Sequence, residues 1–308
     1  MNRRAGLIAL FAGAFCIASS AVWVRLSELG PVATAFWRVA LALPVLWAWA
    51  CWMSVDAHRL AGRRFGWPLA AAGACFAGDL ALWHGSIVLT SVANATLLAN
   101  FAPIFVTIAV WLLYARRPSG RFVVALAVAL IGTLVLVGAS ASAPPVAGMS
   151  TAAGGSSRLL GDALGIGTAM FYAAYQLLLY RVRSQVSTAS VMAWSSIVCA
   201  ALLLPIALAS GESLWPGSLH GWSILLGLAL VSHVAGQSLI AYAIAHLTPT
   251  LASTGLLLQP VVAACFAWVV LHEAVGTQQF IGGAIVLVGI WLATRSDSAG
   301  PPRTAHRA

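Results

Sequence analysis

Four ionisable side chains, Arg38, Asp79, His84 and His233, stand in the middle of long apolar stretches of this 308-residue chain. Four amides, Asn100, Gln176, Gln237 and Gln259, are placed the same way. Polar groups of this kind are costly to bury in hydrocarbon, and by default they mark a solute path or a buried partner. Arg38 lies seven residues from the start of one apolar run and Asp79 nine from the end of the next. At 1.5 Å per residue both sit roughly 10–14 Å below the same boundary. Opposite charges at matched depth on consecutive antiparallel helices read as an ion pair. The pair is either a structural latch or a site where Asp79 exchanges a proton or meets a cationic substrate.

His233 and Gln237 are four residues apart and share one face of a helix. His84 takes a related position in the first half of the chain, with Trp83 beside it. Tyr172, Tyr175 and Gln176 form an aromatic-polar patch, and Thr96, Asn100, Pro103 and Thr107 fall along one helical stripe. Pro103 and Pro260 each remove a donor from the interior of a helix, which predicts a kink and a freed carbonyl at Ala99 and Leu256. Together Trp83, His84, Asn100, Tyr172, Gln176, His233, Gln237 and Gln259 are the candidate lining of a central substrate cavity. Each has a plainer reading as a packing residue, a satisfied core histidine or an interfacial aromatic.

Other chemistry finds no footing. There is one mid-span carboxylate and no HExxH, so a hydrolytic or metal-dependent constellation is not assembled. The five cysteines are scattered through apolar runs without a CxxC pair, and no cofactor, metal site or disulfide framework is expected. No G-x-x-x-x-G-K-[ST] phosphate loop is present.

The elements that position these residues follow from hydropathy. The chain is 61% hydrophobic and 7% charged, with a mean hydropathy of +0.94. About 25% charge is usual for a water-soluble domain, so the bilayer must solvate most of this one. Apolar runs long enough to cross it lie at about 5–24, 31–52, 66–88, 93–114, 121–139, 161–180, 188–209, 221–245, 249–271 and 277–295. They predict an all-α polytopic membrane protein with ten transmembrane helices. Residues 140–160, rich in Ser, Ala, Gly and Pro, read as a flexible linker between a first five-helix unit (5–139) and a second (161–295), and 296–308 as a cytoplasmic tail. The N-terminal run reads as an uncleaved first span. Trp23, Trp52, Trp67, Trp215 and Trp222 fall at span ends, as an aromatic belt requires.

All sixteen basic residues are arginine, and with the N-terminus inside thirteen of them (3, 4, 59, 63, 64, 116, 117, 121, 181, 183, 295, 303 and 307) lie on the cytoplasmic side. Both termini are therefore expected in the cytoplasm. Their scatter in short clusters, despite a net charge of +9, argues against a nucleic-acid partner. A shift of 157 residues places Pro103 on Pro260, Trp111 on Trp268 and Gly132 on Gly289. Five helices per unit is an odd number, so the repeats must be inverted in the membrane, with a site near the midplane where they meet.

These segments resemble the drug/metabolite transporter superfamily, specifically its ten-helix EamA type, over about 5–139 and 161–295. "SSAVWVRLSELGPVATAFWRVALALPVL" is similar to the family's first hairpin, with Arg25 and Arg38 at its basic positions. In "SVANATLLANFAPIFVTIAVWLL" Pro103 takes the place of the helix-4 proline, and "GDALGIGTAMFYAAYQLLLYRVR" looks like the start of the second unit. The strongest likeness is "ASTGLLLQPVVAACFAWVVLHEAVGTQQFIGGAIVLVGI", with Pro260, Glu273, Gln279 and Gly282 at the family's positions. Arg116 stands where the second half keeps Glu273, a departure that suits a cytoplasmic loop.

The resemblance implies a secondary transporter of a small metabolite or drug-like solute, working by alternating access in the inner membrane and by efflux rather than uptake. Proton-coupled uptake is the alternative of the same class. An intramembrane enzyme or a non-transporting scaffold is the alternative of another. The expected partners are a small-molecule substrate and membrane lipid, with the chain a monomer or homodimer.

Overall fold

The computed structural model describes residues 3–53, 66–89, 92–140, 155–182, 186–272 and 276–298. Glu273, the 59–64 arginine cluster, Arg183, Arg303 and Arg307 lie outside them. Ten helical rods run through the described residues. The first set is α1 (Arg3–Ala18, resuming as Ser20–Leu26), α2 (Pro31–Ala40, then Leu43–Met53), α3 (Trp67–Leu89), α4 (Val92–Ala99, then Ala102–Tyr114) and α5 (Gly120–Ser140). The second is α6 (Gly155–Val182), α7 (Thr188–Ala209), α8 (Leu219–Gly227, Leu228–Gln237 and Ser238–His246), α9 (Pro249–Gly255, then Leu258–Leu271) and α10 (Thr277–Ser298). Helix α6 starts inside the stretch read as linker, and α10 runs to Ser298.

Among the described residues nine of these rods are long and apolar enough to cross a membrane. The remaining rod, α3, has 23 residues, about 34 Å of helix, which is also long enough to cross the hydrocarbon layer. Large apolar side chains face outward all round the molecule, among them Ile8, Trp52, Leu112, Leu208, Val269, Phe280 and Trp291. Apolar exposure on that scale belongs to a surface solvated by lipid rather than water. The chain is an all-α, multi-pass membrane protein.

Local chemistry sets the helix ends. Pro31 and Pro249 occupy first turns, where a missing N–H costs nothing. The side chains of Ser187, Ser218 and Thr248 each accept a hydrogen bond from the backbone N–H three residues on, at 3.2, 2.9 and 3.3 Å. The shift of 157 reappears in the backbone. Helix α4 ends on Ala115 and α9 on His272, both non-glycine residues with positive φ (52° and 54°). Helix α4 breaks at 100–101 and α9 at 256–257, within one residue of the same shift.

The packing repeats as well. The most extensive helix pairs are α5 with α10 and α3 with α6; α1 also packs on α8, α2 on α7 and α4 on α9. Exchanging the two sets turns α3–α6 into α8–α1 and returns each of the others to itself. Where α5 crosses α10, a Cβ on Gly132 would lie 2.5 Å from the Val286 nitrogen, and one on Gly289 would collide with the backbone of Ala129. These two glycines are partners under the same shift, and only a hydrogen side chain lets the backbones meet there.

Candidate functional site

The buried ionisable residues converge between α2, α3, α6, α7 and α8. Arg38 (α2) and Asp79 (α3) are each other's principal charged neighbour, and Tyr172, Tyr175 (both α6) and Cys199 (α7) lie in their field. The expected direct ion pair is not made. The Arg38 Nε has no hydrogen-bond partner, and the carboxylate stands off the guanidinium rather than against it.

Aromatic rings wall this centre. The Phe76 ring stacks on Tyr175 at 4.9 Å and on His233 at 5.6 Å, and Tyr172 stacks on Tyr175 at 6.1 Å. His233 Nε2 pairs with the Ser196 hydroxyl at 2.9 Å, while its Nδ1 has no partner. The Gln259 side chain (α9) lies beside the Tyr172 hydroxyl, with its Nε2 unpartnered. Gln176 is buried with neither amide atom satisfied, and Gln237 with its Oε1 unsatisfied. Buried polar groups are nearly always paired, so this cluster has hydrogen-bonding capacity left for a solute or for water.

His233 and Gln237 keep their shared face, but in a different helix from the α-helix expected. Leu228–Gln237 is π-helical. A π segment widens the helix locally and is found mainly at functional sites. Its presence has no simple sequence marker.

The remaining candidates are placed less centrally. His84 feels the charge of Arg38, but its Nδ1–H donates to the Leu80 carbonyl of its own helix at 2.5 Å, and Trp83 meets it edge-on at 4.9 Å. Asn100 sits at the break in α4 and donates to the Thr96 carbonyl at 2.8 Å. Among the described residues neither Trp83 nor Asn100 makes a hydrogen bond or ring contact with the cluster. Pro103 and Pro260 follow the two breaks. The carbonyl of Leu256, expected to be free, is taken by the Gln259 N–H at 2.9 Å in a tighter turn. Phe76, Ser196 and Cys199 also lie in this cluster and were not singled out in the sequence, because an aromatic, a serine and a cysteine inside an apolar run look like packing. The pairing of Ser196 with Cys199 at helical spacing on one face of α7 was the available signal.

Comparison with known proteins agrees with this architecture. A transporter of otherwise uncharacterised activity from Archaeoglobus fulgidus is 26% identical over 291 residues, covering 92% of this chain and 93% of that one. A protein of known crystal structure superposes with a TM-score of 0.80 over 95% of this chain and 98% of its own, at 18% identity, which speaks for the fold alone. Residues 4–138 and 159–295 each match the EamA-like transporter family. With both five-helix sets matched, the chain belongs to the EamA-like transporter family and is a membrane transporter, not an enzyme.

Proposed function

We propose that the protein is a secondary transporter that binds a small polar solute between its two five-helix repeats and exports it by alternating access. It resides in the inner membrane with both termini in the cytoplasm. The observation that carries this reading is the set of buried, unpartnered polar atoms at the centre: Arg38 Nε, both amide atoms of Gln176, His233 Nδ1, Gln237 Oε1 and Gln259 Nε2. It holds donors and acceptors together, which suits a solute that offers both. Phe76, Tyr172 and Tyr175 supply flat apolar walls. His84 on α3 lies within the field of Arg38, and the breaks at Pro103 and Pro260 give α4 and α9 a place to bend.

Asp79 has two roles open to it, and the lack of a direct hydrogen bond to Arg38 favours one. A carboxylate with no hydrogen bond among the described residues is available to exchange a proton or meet a cationic group. A latch would hold it in contact. The test is export from cells making Arg38→Gln or Gln176→Met, compared with wild type at equal membrane yield: both should lose flux of the solute the wild type exports. Unchanged flux in both would place the path elsewhere, and accumulation inside the cell would reverse the direction to uptake.

A further inference from the structure

Away from the central cluster, two glutamates cross between the repeats at one end of the molecule. Glu28 lies in the short connection from α1 to α2, and Glu212 in the connection from α7 to α8. Glu28 accepts hydrogen bonds from the backbone N–H groups of Gly217 and Ser218, at 3.0 and 3.2 Å, and from the Ser218 hydroxyl. Ser218 is itself the cap of α8. In return, Glu212 Oε2 accepts from the Ala33 N–H at 2.8 Å, inside the first turn of α2. Each connection thus delivers a carboxylate to the N-terminal end of the other repeat's helix, where unpaired N–H groups and the helix dipole favour negative charge. The Ser218 hydroxyl, with the two backbone bonds, holds the Glu28 carboxyl below the usual carboxylate range, so it is ionised at neutral pH.

The fit is close. A Cβ on Gly30 would collide with the Glu212 carboxylate. Beneath the two glutamates the Trp37 indole N–H donates to the Leu214 carbonyl at 2.6 Å, and its ring packs on Trp215 and Trp222 at 5.4 and 5.0 Å. Trp37 is the chain neighbour of Arg38, and Ala33 is five residues, about 8 Å of helix, from it. This contact therefore stands over the central site on the side from which Arg38 enters it.

We infer that Glu28 and Glu212 are gate residues: a reciprocal carboxylate latch that holds this mouth of the central site shut and opens once in each transport cycle. The inference rests on reading the central cluster as the transport site. A site between inverted repeats is reached from either side only when the repeats part on that side. Here the two repeats are tied together on this side by four hydrogen bonds to carboxylates, which are stronger than neutral ones. Unlatching must break them.

The test needs no knowledge of the solute. Spin labels at Leu26→Cys and Leu219→Cys, both exposed, in a chain whose native cysteines are serine, report the separation of the two connections. In a second chain only Cys199 is kept, and its rate of alkylation by a small thiol reagent reports access to the site. Wild type should give one short distance and slow alkylation. Glu28→Ala with Glu212→Ala should add a longer distance and speed alkylation about tenfold or more, since loss of one charge-assisted bond is worth about that factor. Glu28→Gln with Glu212→Gln, which keeps size and some bonding, should fall between, and it serves alone if the alanine pair folds poorly. An unchanged distance, or a parting of the connections without faster alkylation, would overturn the latch. If flux is still lost in Arg38→Gln and Gln176→Met, the central-site reading stands and the latch alone has failed.

Discussion

At the scale of single residues, the centre of this protein is under-satisfied. Gln176 is completely enclosed, yet neither end of its amide has a partner. An unmade buried hydrogen bond costs about 1–3 kcal/mol. Gln176→Met, which keeps length and loses the amide, should therefore stabilise the detergent-solubilised protein by about 1–3 kcal/mol in thermal unfolding while abolishing flux. A stability loss with flux intact would mean that Gln176 is packing. Asp79→Asn leaves the buried Arg38 cation without its balancing charge, and should destabilise by about 3 kcal/mol, the low end for a broken buried pair because the two groups are not in contact. Asp79→Glu should recover the stability and show whether reach matters to flux. Full thermal stability in Asp79→Asn would show that the two charges are not coupled. The mid-span polar rule found Arg38, Asp79, His233, Gln237, Gln176 and Gln259 in the sequence because each breaks a run of apolar residues. It had no purchase on Phe76 or Cys199, which do not. It also misread the Arg38–Asp79 geometry: matched depth fixes height in the membrane but not rotation about the helix axis, so it predicts proximity and not contact.

At the scale of elements, the sequence located the helices well, since twenty apolar residues in a row have one structural outcome in a bilayer. The proline pair marked the breaks in α4 and α9, although the chain closes the second with a tight turn rather than leaving a bare carbonyl. The π-helical segment of α8 stayed hidden, because widening a helix by one residue per turn is decided by tertiary packing. The α5–α10 crossing is the firmest helix pair, and it depends on two symmetry-related glycines. Gly289→Leu should push the backbones apart and destabilise by about 1–3 kcal/mol, as overpacking does. Gly138→Leu on the same helix pair is the control, since a Cβ there meets nothing within 4 Å. Equal unfolding temperatures for the two variants would contradict the close crossing.

At the scale of the whole molecule, a shift of 157 residues recurs in side chains, in helix ends and in packing partners, and to within one residue in helix breaks, as a repeated five-helix unit requires. Orientation comes from arginine placement, and it has a direct check. In intact cells an impermeant maleimide should label Ser213→Cys, in the α7–α8 connection, and spare Arg117→Cys, in the α4–α5 connection; the reverse pattern would turn the molecule over. Substrate identity lies beyond the reach of fold, because the same ten helices can surround many solutes. The most direct measurement is therefore a metabolite-wide comparison of medium and cell contents among cells lacking the protein, cells making it and cells making Arg38→Gln at equal membrane yield. At least one small polar solute should leave the cells only when the wild-type protein is made. If no solute differs, or the same solute leaves with Arg38→Gln, then transport through the central site is contradicted.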